Sequence, residues 1–152
     1  MFNENTWKDG ESRVQKHMKK LGYKILYTNF KCAGVELDIV SIYPKKLKIK
    51  KIKEFYKLKI KGAKTKKEKL YYLDQLKIHT AEVTDSLVVT EVKARATGEF
   101  GKGYEAVTKA KQSHIIRGLN YLMSLQKFKE LEPRCDIASV DAGEITYIEN
   151  AF

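Results

Sequence analysis

Apolar and polar positions along this chain alternate with two different periods, and the changes of period divide it into elements. Trp7, Val14, Met18 and Leu21 recur at helical spacing, with Thr6 as the expected N-cap, Asp9 in the first turn and Gly22 just past the end. Glu11 falls on the same face, where a carboxylate must be paired, metal-bound or at the solvent edge of the stripe. Gly10 costs a helix about 1 kcal/mol relative to alanine, which fits a point of close backbone approach. Tyr23–Phe30 and Val35–Tyr43 are rich in β-branched and aromatic residues and flank Lys31-Cys32-Ala33-Gly34, a hairpin pattern. On the second strand, two-residue alternation puts Glu36, Asp38 and Val40 on one face and Leu37 and Ile39 on the other, and Pro44 ends the run.

From Lys45 to about Asp85 the pattern weakens. Lys46-Leu47-Lys48-Ile49-Lys50 and Tyr56-Lys57-Leu58-Lys59-Ile60-Lys61 alternate, and Gly62–Lys69 resembles a tip. Leu70, Leu73 and Leu76 fit a short helix, while Leu76–Thr80 also reads as strand. The expectation over 45–84 is an elongated β-hairpin faced with lysine, a residue that also discourages edge-to-edge aggregation. Ser86–Ala94 then predicts a strand, and Thr97–Gly103 a three-glycine loop without the P-loop pattern. A long helix is expected from about Tyr104 to Phe128, with Tyr104, Val107, Ile115, Leu119 and Leu122 inward and Lys111 interrupting the stripe. Pro133 breaks the chain before a strand at Arg134–Val140, and Asp141-Ala142-Gly143 turns into a last strand, Glu144–Glu149. The order αβββαββ predicts an α/β layer with helices packed on a central mixed sheet.

At 152 residues one domain with its own core is expected, and residues 45–84 read as a lysine-rich insertion within it, between the second and third core strands. The net charge of +11 is concentrated: Lys45 to Lys69 holds 13 lysines against Glu54 and Glu68, and the remainder balances 17 basic with 17 acidic residues. Such a field attracts phosphate backbones, and Lys48, Lys50, Lys57 and Lys59 are candidates for that contact. A solvated, lysine-biased excursion explains the same composition. Cys32 and Cys135 lie far apart and form no C-x-x-C pair, which argues against a disulfide framework. The start, Met1-Phe2-Asn3-Glu4-Asn5, lacks the features of a signal peptide, and no stretch approaches the ~18 apolar residues of a spanning helix. A cytoplasmic protein with no membrane partner is expected.

The candidate chemistry lies in Thr90-Glu91-Val92-Lys93-Ala94-Arg95, at the end of the apolar run Leu87-Val88-Val89. Glu91 and Lys93 share a strand face, a poor choice for a hydrophobic core. Asp38, on another apolar strand, supplies a second carboxylate. Phosphodiester hydrolysis needs the anionic phosphate neutralised and a water activated; hard oxygen ligands suit magnesium for both. Asp38 and Glu91 fit as ligands, Glu11 as a third carboxylate, and Lys93 as the group beside the attacking water. A surface cluster of ion pairs is the competing explanation, but exposed pairs contribute only ~0–1 kcal/mol and need no such apolar setting. His17, His79 and His114 are scattered without metal-ligand spacing, and no G-x-S-x-G signature occurs.

The Asp…Glu-x-Lys pattern resembles the PD-(D/E)XK nuclease superfamily. More closely, the chain is similar to the bacterial YraN-type uncharacterised family, itself similar to archaeal Holliday-junction resolvases. The matching stretches are Gly10-Glu11, Leu21–Leu26, Asn29-Phe30, Glu36–Val40, Glu91–Arg95, Phe100-Gly101, Glu105–Thr108, Lys111-Gln112, Arg134–Asp136 and Glu149–Phe152. The resemblance implies a restriction-endonuclease-like core and nuclease activity dependent on Mg²⁺ or Mn²⁺, acting on DNA, with branched or single-stranded structures as substrates. It implies metal ligation by Glu11, Asp38 and Glu91, catalysis by Lys93, and supporting or substrate-facing roles for Glu36, Arg95, Lys111 and Gln112. Likeness to resolvases also implies a homodimer. The superfamily contains members that bind nucleic acid without cutting it, the alternative function. Two positions depart from the family pattern: Val35 stands where glycine is usual, and 52 residues separate Asp38 from Glu91 in place of a short turn.

Overall fold

The computed structural model describes residues 4–95 and 107–152, with side chains from Lys8 onward. The expectations for the Trp7 side chain, the Thr97–Gly103 loop and the helix start at Tyr104 lie outside the described residues. In chain order the elements are α1 (Glu4–Lys20), β1 (Lys24–Cys32), β2 (Val35–Tyr43), α2 (Lys45–Gly62), α3 (Lys66–Ala81), β3 (Ser86–Arg95), α4 (Lys109–Ser124), β4 (Glu132–Asp141) and β5 (Glu144–Ile148). They form two compact units, one of residues 1–43 with 86–152 and one of Pro44–Asp85.

In the first unit, five strands pair in chain order, β3 with β4 parallel and the other neighbours antiparallel. This is the expected α/β class, an open mixed sheet flanked by helices in the order αβββαββ. Both tight hairpins turn on Ala-Gly: φ is positive at Ala33 and Gly34, and again at Ala142 and Gly143. Two positive φ values in a two-residue loop match the right-handed twist of the strands they join. The first turn is therefore shorter than the four residues expected, and Lys31 and Cys32 extend β1. α1 is already helical at Glu4, so the cap expected at Thr6 lies within the helix. Its end is as expected: Gly22, at φ 91°, lets Gly22 N–H reach Lys19 O and Tyr23 N–H reach Met18 O, both at 3.0 Å.

Gly10 and Ala94 show how α1 meets the sheet, because a Cβ on Gly10 would stand 2.7 Å from the Ala94 Cβ. Leu87 and Val89, of opposite parity to Ala94 on β3, belong instead to the core with Ile115, Leu119 and Leu122 of α4. Adjacent strand residues face opposite ways, so α1 and α4 cover opposite faces of the sheet. Gly10→Ala is expected to lower stability by about 1 kcal/mol or more, since overpacking outweighs the gain in helix propensity. A lower urea midpoint at unchanged slope checks this.

Two boundaries differ from expectation. α4 spans Lys109–Ser124 because the Thr108 side chain accepts the Lys111 N–H at 3.2 Å and caps it, and because Leu125 is extended at the other end. Phe128 is buried but lies beyond the helix. Pro133 does not precede β4 but sits within its first residues, opposite Leu87, where a missing N–H is tolerated. Cys32 and Cys135 are free thiols.

The second unit corrects the expected β-hairpin: residues 45–81 form a helical hairpin. Ile49, Ile52, Tyr56 and Ile60 follow at steps of three, four and four, a helical face that short alternating stretches of lysine obscured. The tip is capped by side chains: Thr65 Oγ1 accepts the Glu68 N–H at 3.1 Å, and Glu68 Oε2 accepts the Lys64 N–H at 2.8 Å. Its core is thin. Tyr56 is the only buried side chain of α2, α3 has none, and the Tyr56 hydroxyl bonds His79 Nδ1. Among the described residues, no helix is long and apolar enough to cross a membrane.

Candidate functional site

The β2–β3 ladder runs from Tyr43↔Ser86 to Ile39↔Thr90. One further step in that register sets Asp38 opposite Glu91, and there the side chain replaces the main chain: Asp38 Oδ2 accepts the Val92 N–H at 2.8 Å. The strict alternation expected over Glu36–Val40 breaks at the same place. Leu37 and Val40, three residues apart, both join the core beneath α4. A carboxylate taking a ladder hydrogen bond lets the two strands part while leaving the Val92 donor satisfied.

Glu91 and Lys93 share a face as the sequence indicates, and this face is the one covered by α4. Glu91 is only 3% exposed, and its Oε1 receives two ammonium groups, Lys93 Nζ at 3.0 Å and Lys111 Nζ at 3.3 Å. Lys111, which interrupts the apolar stripe of α4, therefore ends on the buried carboxylate. Burial, then the neighbouring Glu91 charge, pushes Asp38 up to about 7, against the smaller opposing effects of the Val92 N–H and Lys111. Two acids crowded into one partly buried site hold a proton in place of the second charge. A folded pKa above the unfolded one means that stability falls as pH rises from about 4 to about 7. Asp38→Asn, which keeps an acceptor for Val92, is therefore expected to raise the metal-free Tm at pH 8 by roughly 5 °C, with the gain vanishing near pH 4. Thermal melts in chelator across that range test the sign.

The donor set fits a hard divalent cation. Asp38 and Glu91 stand close enough to share a side-chain hydrogen bond, and a cation in place of that proton would relieve the repulsion that raises Asp38. Among the described residues no three or more acidic, histidine or cysteine side chains gather within reach of one ion. Two carboxylates completed by water and phosphate suit Mg²⁺ or Mn²⁺.

The structure does not bring Glu11 into this pair. Glu11 lies on α1, across the sheet from α4, and its Oε2 accepts from Asn29 Nδ2 at 3.2 Å. Glu36 is exposed and pairs with Lys31 at 3.7 Å. Gln112 donates to Val107 O at 3.2 Å, steadying the first turn of α4 beside Lys111. Arg95 lines a hollow of about 350 Å³ with Asp9, Arg13 and Gly143. Lys48, Lys50, Lys57 and Lys59 lie on α2, in the second unit.

A second buried ionic cluster went unread in the sequence. Asp136 is fully buried and accepts from Arg134 Nε at 2.9 Å and Nη2 at 2.7 Å, from the Tyr147 hydroxyl at 2.8 Å and from the Asn150 N–H at 2.9 Å. Arg134 lies over the Tyr23 and Tyr43 rings and donates to the Tyr23 hydroxyl. Burial, then the Asp136 charge, drives both the Tyr23 and Tyr147 hydroxyls far above the ordinary tyrosine range, so both remain neutral donors. The Arg134-x-Asp136 spacing was the available signal, since it repeats the acid and base of Glu91-x-Lys93 on a neighbouring strand.

An open mixed sheet of this order, flanked by helices, is consistent with a restriction-endonuclease-like fold. The chain belongs to the uncharacterised protein family UPF0102, whose match covers residues 10–140. Among its relatives, a UPF0102 protein of Caldicellulosiruptor saccharolyticus is 28% identical over 149 residues, covering 94% of this chain and 92% of the relative. Another, of Saccharophagus degradans, is 38% identical over 68 residues, 44% of this chain and 58% of the relative. One from Clostridium perfringens strain SM101 is 25% identical along 99% of this chain and 96% of its own.

Proposed function

We propose that this protein is a divalent-metal-dependent nuclease that hydrolyses phosphodiester bonds in DNA. The observation that supports it most is the half-buried Asp38 set opposite the buried Glu91 where the β2–β3 ladder ends, with Lys93 and Lys111 on Glu91. Asp38 and Glu91 would hold Mg²⁺ or Mn²⁺, which supplies charge neutralisation at the phosphate and an activated water. The part played by the chain is positional. The Val92 N–H orients Asp38, and the two lysines orient Glu91. Lys93, partly exposed, is placed to stabilise charge building on the phosphate or to orient the water.

The test is a cleavage screen over single-stranded, duplex, flap and four-way DNA, each with Mg²⁺, with Mn²⁺ and with chelator. Cutting of at least one form only in the presence of metal is expected; cutting in chelator would defeat the proposal. One observation favours a second reading. Two ammonium groups already compensate Glu91 without any metal, as they would in a non-catalytic nucleic-acid-binding module. That reading predicts binding to DNA with no cleavage and no response to metal.

A further inference from the structure

The helical form of residues 45–81 sorts its lysines into faces that the sequence alone does not separate. Lys46, Lys50, Lys53, Lys57 and Lys61 follow along α2 at steps of four, three, four and four, the spacing of one helix face. All five are exposed, and none forms an ion pair with another described residue. The stripe is about 22 Å long, with axial steps of about 4.5 and 6 Å. Lys48, Lys51, Phe55 and Lys59 occupy the other side of α2, where the Lys59 ammonium sits 5.5 Å from the Phe55 ring centre. Of the four lysines singled out by sequence, Lys50 and Lys57 are on the stripe and Lys48 and Lys59 are not.

We infer that this lysine stripe is a rail for a nucleic-acid backbone, gripping successive phosphates without reading bases. Charge complementarity carries the inference. Pro44–Asp85 holds 14 lysines against five carboxylates, and the stripe presents a row of unpaired ammonium groups at regular intervals. A helix lying on a membrane would need apolar side chains on its docking face, and the stripe itself has none; the exposed Leu58 borders it and the exposed Phe55 lies on the other side of α2. An acidic protein surface would need paired, directional contacts, whereas a phosphate backbone offers a repeating line of charge. Stripe lysines carry no aromatic or amide side chain among them, so contact is to phosphate and is indifferent to sequence. This deepens the nucleic-acid reading of the preceding section and rests on it only for the choice of polyanion.

The experiment measures binding of the full chain to a labelled mixed-sequence DNA duplex, in chelator, between about 50 and 200 mM salt. A variant carrying Lys50→Gln, Lys53→Gln and Lys57→Gln is compared with one carrying Lys48→Gln, Lys51→Gln and Lys59→Gln, the same loss of charge from the other side. Glutamine keeps helix propensity, and circular dichroism checks both folds. The stripe variant is expected to bind at least tenfold more weakly and to flatten the slope of log affinity against log salt by roughly 2–3; the other variant is expected to keep its slope. Equal losses in the two variants, or an unchanged slope in the stripe variant, overturn the rail. Stripe-dependent binding to phosphatidylserine vesicles without binding to DNA overturns it in favour of a membrane surface. Because no metal is present, these outcomes are separate from failure of cleavage.

Discussion

Under the proposed function, Glu91→Gln is expected to lower metal-dependent DNA cleavage by on the order of a thousandfold, since loss of a metal ligand would remove several kcal/mol at the transition state. The substitution preserves shape but removes the charge that Lys93 and Lys111 both approach on Oε1. Those lysines are partly exposed and turn to water, so the fold is expected to survive. The neighbour supplies an internal control. The Glu91 charge is the second cause of the raised Asp38 pKa, so in Glu91→Gln the Asp38 titration should move down towards the ordinary carboxylate range. Carboxyl titration by NMR in chelator reads that shift, and single-turnover cleavage reads the rate. Cleavage retained at the parent rate would remove Glu91 from the site.

The largest expected effect on stability comes from the other face of the sheet. Asp136→Ala leaves the Arg134 guanidinium, whose side chain is 11% exposed, without its carboxylate and strips an acceptor from Tyr147 and from the Asn150 N–H. Removing one partner of a buried pair typically costs about 3–5 kcal/mol, so Tm should fall by on the order of 10 °C. A loss under about 1 kcal/mol in denaturant titration would show that the cluster is not a structural tie.

These two sites mark how far the sequence could be read. Glu91-x-Lys93 and Arg134-x-Asp136 are the same pattern, an acid and a base two residues apart on an apolar strand. In the second, a bidentate arginine, a tyrosine hydroxyl and a backbone amide satisfy Asp136 completely, and nothing remains for a ligand. In the first, Asp38 is crowded against a like charge and holds its proton, which leaves the pair suited to a cation. Pattern gave the positions; only cross-strand distances separate a tie from a site. The fold order was legible because each core element carries several apolar residues at one period. The insertion was not, because lysine between isoleucines satisfies the period of a strand over five residues and that of a helix over fifteen. The deciding signals there, Thr65-x-x-Glu68 and the Ile49–Ile60 spacing, are local and were outweighed by alternation.

The insertion leaves and rejoins the sheet at residues that are already partners, Tyr43 and Ser86, and its base is fastened by the Lys45 N–H on Asp85 Oδ1 at 2.6 Å. This bears on the order in which the chain assembles. The β1–β2 hairpin closes over two residues, Ala33 and Gly34, whereas β2 meets β3 only after the 42 residues of Pro44–Asp85 have been brought round. Loop-closure entropy favours the near pairing first. A helical hairpin that forms on its own contacts shortens the effective loop to its clasped base, so β3 then docks onto β2 as if across a tight turn. The same docking brings Glu91 opposite Asp38, so loop-closure entropy favours assembly of the candidate site after the β1–β2 hairpin has closed.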